Sequence, residues 1–432
     1  MGSKRPGPPD RMGHLSIAIG LAGLSLMLLS LVAATRAPVA ASPPVGEEPR
    51  ALDSGQVITV GVAAAMSGPA SFLGWPQPNA VQLAISQTNA AGGIDVGGVP
   101  YTLVLVAGDS GCNGPQGLVA ANALLDAGAV AVVGHTCSAA TNAAQPIYNA
   151  AGVPMVSPSS TDVTVTEQGY TTTFRLGPRD DAMAIRLATF YRRALGMQRA
   201  AIVEPASGSW FAPILTAAFS TTFTSLGGNV TSQRIVASSD DYTTTLAAIK
   251  LEDPDVIYYT DDDGAAAGSL SRVAHDLGMT GVAIAWDLHW AGEEAFAPYE
   301  AAAGPAAEGD YAGVQWRRNE DMPGYEAFNQ AYQAAGFPEY GDEAHMWGAL
   351  AYDAARIIFA AIDRADSIDP ADIRDEIAET VNYHGVVGTY RRFDAKGDVV
   401  PQCIWLASYQ NGAWGLVDLH AVNLPILLST GP

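Results

Sequence analysis

VAVVGHTCSAATNAAQPIYNAAGVPMVSPSST, residues Val130–Thr161, decides the fold. It holds two short apolar runs, Val130–Val133 and Val153–Val156, and each empties into a turn of small polar residues, Gly134–Thr141 and Ser157–Thr161. A helical stretch beginning near Ser138 and closing at Gly152 lies between them. The order is strand, turn, helix, strand, turn. A right-handed parallel crossover places both turns at the carboxyl edge of one sheet, where open α/β sheets bind ligands. The turns are rich in hydroxyls and free backbone N–H groups, and a helix N-terminus directs its partial positive charge into the same space. Such a unit suits a small anion such as a carboxylate.

The same alternation runs outward in both directions. Upstream lie a strand at Val57–Ala63, a helix from Gln77 to Ala90 that stops at Gly92-Gly93, a strand at Tyr101–Ala107, and a helix at Gln116–Ala127 with Leu118, Ala121, Leu124 and Leu125 on its apolar face. Downstream, Asp180-Asp181 opens a helix that ends at Gly196, with acids in its first turn and Arg192-Arg193 in its last, as the helix dipole favours. Strands at Ala200–Val203, Gln233–Val236, Val256–Tyr259 and Val282–Trp286 then alternate with helices near Pro213–Leu226, Tyr242–Leu251 and Ala265–Leu277, and a long helix spans Ala344–Arg364. This pattern predicts an α/β protein with doubly wound parallel sheets.

The chain has 432 residues, enough for two lobes of ordinary domain size, and 48% hydrophobic against 15% charged content argues for a packed fold. Its 22 basic and 44 acidic residues give a net charge of −22. No basic surface is available to neutralise phosphates, so nucleic acid is not an expected partner. Lys4, Arg5 and Arg11 precede an apolar run from Leu15 to Ala34, and small residues follow at Val39-Ala40-Ala41. That reads as a secretory signal over residues 1–41, with an uncleaved anchor as the alternative, followed by a Pro- and Glu-rich lead-in over 42–55. An exported chain permits a disulfide among Cys112, Cys137 and Cys403.

Several motifs in fixed order carry a family resemblance. GHTCSAAT and SPSST of the organising stretch, VGVAAAMSGPASFLG (Val60–Gly74), SQTNAAGGI (Ser86–Ile94), the GDSGCN turn (Gly108–Asn113), AAEG (Ala306–Gly309) and FDAKGD (Phe393–Asp398) together resemble the type I periplasmic solute-binding proteins, specifically the leucine/isoleucine/valine-binding group. The resemblance runs from Gln56 to Val417 and is clearest before Asp181. It implies two lobes joined by a three-crossing hinge that close on a ligand. Residues 56–179 and 310–388 would form the first lobe, and 180–309 and 389–432 the second. The family joins the cysteines that match Cys112 and Cys137, which leaves Cys403 as a buried free thiol.

The resemblance also proposes a site. Ser138, Ser159 and Thr161 match residues that hold a ligand's α-carboxylate and ammonium; the competing reading is that they cap the helices after their strands. Thr141 reads as structural. In the second lobe, Trp210 falls near a Tyr that covers the ligand, and Asp287 aligns with an acid that pairs with the ligand ammonium. The Asp261-Asp262-Asp263 turn is either a solvated loop or, with an acid such as Asp262 turned inward, a preference for a more polar or cationic ligand. Leu73 stands where branched-chain binders carry Tyr, with Phe72 or Trp75 able to compensate.

Enzyme readings find little support. The three lysines, Lys4, Lys250 and Lys396, follow no Walker glycines, there is no G-x-S-x-G elbow, and the seven histidines show no metal-ligand spacing. His135 near Ser138 reads as a packed histidine rather than half of a catalytic pair. No cofactor or metal is expected. The implied function is an exported, monomeric receptor that captures a small amino acid, branched-chain by type, and delivers it to the membrane permease of an ABC importer. A ligand-binding sensor for amides, urea-like or aromatic compounds is the alternative, which a fused transmembrane signalling region would favour.

Overall fold

The computed structural model describes residues 56–206, 211–261, 263–288, 295–314, 323–337, 346–402 and 404–417. The expected leader and lead-in, Trp210, Asp262 and Cys403 lie outside the described residues. Two sheets organise the chain. The first is built from β1 (Val57–Ala64), β2 (Ile94–Val96), β3 (Val99–Asp109), β4 (Ala131–Gly134), β5 (Met155–Ser157) and β6 (Thr173–Arg175), in the order β2-β3-β1-β4-β5-β6. Its helices are α1 (Ser71–Gly74), α2 (Pro76–Ala90), α3 (Gly114–Asp126) and α4 (Ser138–Ala151). The second holds β7 (Arg199–Pro205), β8 (Asn229–Val236), β9 (Val256–Tyr259), β10 (Ala283–Leu288) and β11 (Tyr311–Val314). Helices α5 (Asp180–Thr189), α6 (Ala212–Ser225), α7 (Tyr242–Lys250), α8 (Gly264–Asp276) and α9 (Phe296–Ala303) accompany it.

The chain then returns to the first lobe as α10 (Tyr325–Ala335), α11 (Met346–Ala365) and α12 (Pro370–Ala378), with two small ladders, β12 (Tyr383–His384) with β13 (Thr389–Tyr390) and β14 (Arg392–Phe393) with β15 (Val399–Val400). It ends on the second sheet as β16 (Trp405–Gln410) and β17 (Ala413–Leu416), completing the order β17-β16-β11-β10-β9-β7-β8. The two-lobe α/β architecture therefore forms as expected. Both sheets are parallel in their interiors but antiparallel at one edge, where β2 meets β3 and where β16 meets β11 and β17. These edge strands come from a tight hairpin and from the late third passage, neither of which is a helical crossover.

Period-two alternation explains why each sheet is covered on both faces. In β1, Ile58, Val60, Val62 and Ala64 enter the core shared with α2, α10 and α11, while Ala63 turns to the core under α3 and α4. In β9, Ile257 and Tyr259 face α7 and α8, whereas Val256 and Tyr258 face α5 and α6. The apolar face of α3 differs from the expected one: Leu118 is 41% exposed, and the buried residues are Gly117, Ala120, Ala121 and Leu124. The reason is close helix packing. A Cβ on Gly117 would stand 2.7 Å from the Ala140 carbonyl of α4, so only very small residues fit there.

One boundary differs from the sequence reading. The first lobe does not end at residue 388: Tyr390, Phe393 and Val399 pack in the first-lobe core, and Phe393 meets Phe174 of β6 edge-on at 5.1 Å. The switch comes between Val400 and Trp405. Gly397 holds this segment against β6, with a positive φ and no room for a Cβ beside the Thr173 carbonyl.

Candidate functional site

The carboxyl edge of β4 and β5 carries the two polar turns, and the structure draws them together. The His135 carbonyl accepts hydroxyls from Ser157 and Ser160, both at 3.0 Å. The Thr141 hydroxyl then donates to Ser160 Oγ at 2.6 Å. These three hydroxyls fasten one turn to the other, which makes Thr141 a buttress, as expected. The His135 ring is fully buried, with Nε2 3.1 Å from the Tyr148 hydroxyl, and burial pushes its pKa down to about 3. The histidine is thus a buried, packed side chain beside a tyrosine.

Ser138 opens α4. Its Oγ accepts from the backbone N–H groups of Thr161 and Asp162 at 3.2 and 3.1 Å, so the first helical residue of one turn organises the backbone of the other. Its own O–H donates to no described residue, and neither do the N–H groups of Ser138 and Ala139 at the helix start. The Thr161 hydroxyl also makes no bond to a described residue. Ser138 and Thr161 therefore bring donors to one place, with the α4 dipole behind them.

Ser159 is used differently. Its hydroxyl donates to the Thr136 carbonyl at 2.8 Å and accepts from Gln77 Nε2 at 3.0 Å. Gln77 Oε1 accepts in turn from Thr136 Oγ1 at 3.0 Å, and Thr136 Oγ1 accepts from the Ala65 N–H at 3.0 Å. This closed, buried network spends the hydroxyl internally. Leu73 belongs to it only through its carbonyl, 3.4 Å from Gln77 Nε2; its side chain is 8% exposed and sits in the first-lobe core. Phe72 is 50% exposed and Trp75 half-buried. Gln77 and Thr136 had no place in the sequence reading. A glutamine between two prolines in the first turn of α2 was the available signal.

Arg175 at the end of β6 lies behind the second turn, fully buried, with Nη1 donating to the carbonyls of Ser160 and Asp162 at 3.2 and 2.7 Å. Its ion-pair partner is Asp398, at 2.6 Å. Burial works against a charged Asp398, but Arg175, Thr166 and Arg179 together hold its pKa below the usual carboxylate range. The disulfide between Cys112 and Cys137 forms as the resemblance implied and ties the loop after β3 to the residue before α4.

The second lobe presents a different chemistry. At the ends of β7, β8 and β9, a concavity of about 160 Å³ is lined by Pro205, Val236, Ser238, Tyr242, Tyr259 and Asp261 among others. The Tyr242 and Tyr259 hydroxyls are 2.9 Å apart, and Tyr259 donates to Asp261 at 3.3 Å. Asp263 caps α8, accepting from the N–H groups of Ala265 and Ala266. Asp287 stands apart from the first-lobe cluster. It lies on β10, fully buried, and accepts the Tyr258 hydroxyl. No cluster of His, Cys, Asp or Glu among the described residues could hold a metal ion, and no helix among them is long and apolar enough to cross a membrane.

Two α/β lobes with parallel sheets and a polar edge of this construction define a type I periplasmic binding protein fold. A family model described as periplasmic binding protein matches residues 57–413, and the chain belongs to that family. Similar relatives include the amino acid binding protein of Pseudomonas aeruginosa, 26% identical over 349 residues that cover 79% of this chain and 87% of the relative. The leucine-specific-binding protein of Salmonella typhimurium is 27% identical over 345 residues, 79% and 88% of the two chains. Among solved structures, an ABC transporter substrate-binding protein from Desulfitobacterium hafniense in complex with Leu matches with a TM-score of 0.64 at 25% identity, over 84% of this chain and all of that one.

Proposed function

We propose that this chain is an extracytoplasmic receptor that captures a small amino acid, of the branched-chain type, between its lobes and delivers it to the permease of an ABC importer. The observation that carries this reading is the donor cluster at the start of α4, where Ser138, Thr161 and two helix N–H groups that no described residue engages converge at the carboxyl edge of the first sheet. A carboxylate held there would share its charge among several donors and a helix dipole without a cation facing it. Ser159 acts in this reading by shaping the backbone of the turn. The ligand ammonium needs acceptors, which the second lobe supplies, and Asp287 at the end of β10 is assigned to it, with Trp210 and Asp262 as further contributors. The names of the relatives, amino acid binding and leucine-specific-binding, support the ligand class.

The same reading makes the protein a binding protein rather than an enzyme, exported with its leader removed after Ala41, monomeric, and divided near residues 179, 309 and 400 into lobes that close. A thermal-shift screen against amino acids, amides and aromatic acids tests it. A ligand at 100 times its Kd should stabilise by about 2.7 kcal/mol. L-leucine, L-isoleucine or L-valine should give the largest shift. A response confined to amides, urea or aromatic acids would instead favour a sensor of those compounds.

A further inference from the structure

The turn that carries Thr161 is fastened from behind by residues far away in sequence. Arg175 engages all three nitrogens of its guanidinium. Nη1 donates to the Ser160 and Asp162 carbonyls, Nη2 to Thr166 Oγ1 at 2.8 Å, and Asp398 Oδ1 lies 2.7 Å from Nε and 2.6 Å from Nη2. Asp398 lies 223 residues further along, in the first-lobe segment between β14 and β15 that leads into the third passage. Its second oxygen accepts from Thr166 Oγ1 at 2.7 Å and from Arg179 Nη1 at 3.1 Å. Arg179 lies on the first passage, and its backbone N–H donates to Gln402 Oε1 on the third, at 2.9 Å. The planar, always-charged guanidinium is suited to such a junction because its donors point in fixed directions.

We propose that Arg175 is a positioning residue that couples the ligand-facing turn of the first lobe to the first and third passages between the lobes, so that ligand affinity and the arrangement of the passages are set together. This rests on the amino-acid-receptor reading for its ligand, but not for its mechanics. With their carbonyls drawn back onto Arg175, Ser160 and Asp162 fix the course of the turn on either side of Thr161. The N–H groups of Thr161 and Asp162 then face Ser138 Oγ. Movement of Arg179 or Gln402 with the passages is felt at Asp398, through it at Arg175, and so at the turn. Arg175 touches no ligand in this arrangement, since its donors are all engaged within the protein.

Three variants test the coupling: Asp398→Asn, Arg175→Lys, and the milder, nearly isosteric Thr166→Val. Leu270→Ala, a cavity in the second-lobe core, serves as a control that lowers stability without touching the network. The first readout is amide exchange of residues 157–163 in ligand-free protein. We expect roughly tenfold faster exchange there in Asp398→Asn and Arg175→Lys, a smaller rise in Thr166→Val, and none in Leu270→Ala. The second is the Kd for L-leucine by calorimetry, expected to rise about tenfold in the first two variants and to stay at the parent value in the control. Unchanged exchange in a folded Asp398→Asn or Arg175→Lys protein overturns the proposal, as does an equal rise in the control. Should the first two fail to fold, Thr166→Val decides by the same comparison. A parent protein that binds no amino acid would sink the receptor reading, while the exchange experiment would still decide the coupling.

Discussion

The two sheet edges differ in sign. In the first lobe the edge is a neutral assembly of serine and threonine hydroxyls and helix N–H groups, with Arg175 behind it turned inward and paired with Asp398. In the second it is built from tyrosines and carboxylates: Tyr242, Tyr259 and Asp261 around the concavity, and Tyr258 with Asp287 beneath. A donor-rich edge and an acceptor-rich edge are what the proposed zwitterionic ligand requires. Each lobe turns an ionisable side chain inward, Arg175 in the first and Asp287 in the second, and each meets hydrogen-bond partners rather than solvent.

The largest expected effect probes the acceptor side. Asp287→Asn should weaken L-leucine binding by about 2–5 kcal/mol, the usual cost of breaking a buried charged pair. Calorimetry on variant and parent would show it. Since Asp287 is buried beside Tyr258, an unchanged Kd with a shifted Tm would confine it to an internal role, and the acceptor would have to be sought near Asp261.

Stability should be asymmetric as well, because the disulfide lies wholly in the first lobe. Closing a loop between residues 25 apart constrains the unfolded chain by about 3.5 kcal/mol. Cys112→Ser with Cys137→Ser should therefore lower denaturant stability by about that amount, in a transition assigned to the first lobe. A loss carried by the second-lobe transition would break the comparison.

A smaller effect is expected on the donor side. Ser138→Ala should cost about 1–3 kcal/mol of binding, because Thr161 and the helix N–H groups remain. A loss larger than that of Asp287→Asn would reverse the ranking of the two edges.

The subtlest test uses pH. Burial raises Asp310 in the second lobe to about 7 and Asp353 in the first to about 6. Each folded-state pKa lies above its unfolded value near 4. The folded protein therefore binds the extra protons between these values, and the resulting stability is complete below about pH 4 and lost as pH rises through about 6 and about 7. Asp398 has the opposite sign: its contribution is present above the unfolded pKa and lost as pH falls through its depressed folded value. Chemical denaturation from pH 4 to 8 should show the decline, flattened by Asp310→Asn mainly toward pH 7 and by Asp353→Asn mainly toward pH 6. A slope unchanged in both variants would remove these groups from the account.

Much of the first lobe was legible because its elements are local. The apolar runs of β4 and β5, the Gly152 that ends α4 in the left-handed conformation, and the buttressing role of Thr141 all follow from neighbouring residues. The face of α3 was misjudged because its packing depends on how close α4 lies, and α4 is a separate element. Ser159 was assigned correctly to the turn, but its hydroxyl is consumed by Gln77 and Thr136, and that partner is 82 residues upstream.

The sequence by itself determined the α/β class, the alternation that produces two lobes, the family and the polar edge of β4 and β5. Those follow from periodicity, turn residues and ordered motifs, which are properties of short stretches. Only the tertiary structure decided which hydroxyls remain to donate outward, that Asp287 turns in toward Tyr258, and that Phe393 stays with the first lobe. It also decided that Arg175 meets Asp398 behind the turn. A hydrogen bond or an ion pair is set by distance and direction in space, and residues 223 apart acquire these only when the chain has folded.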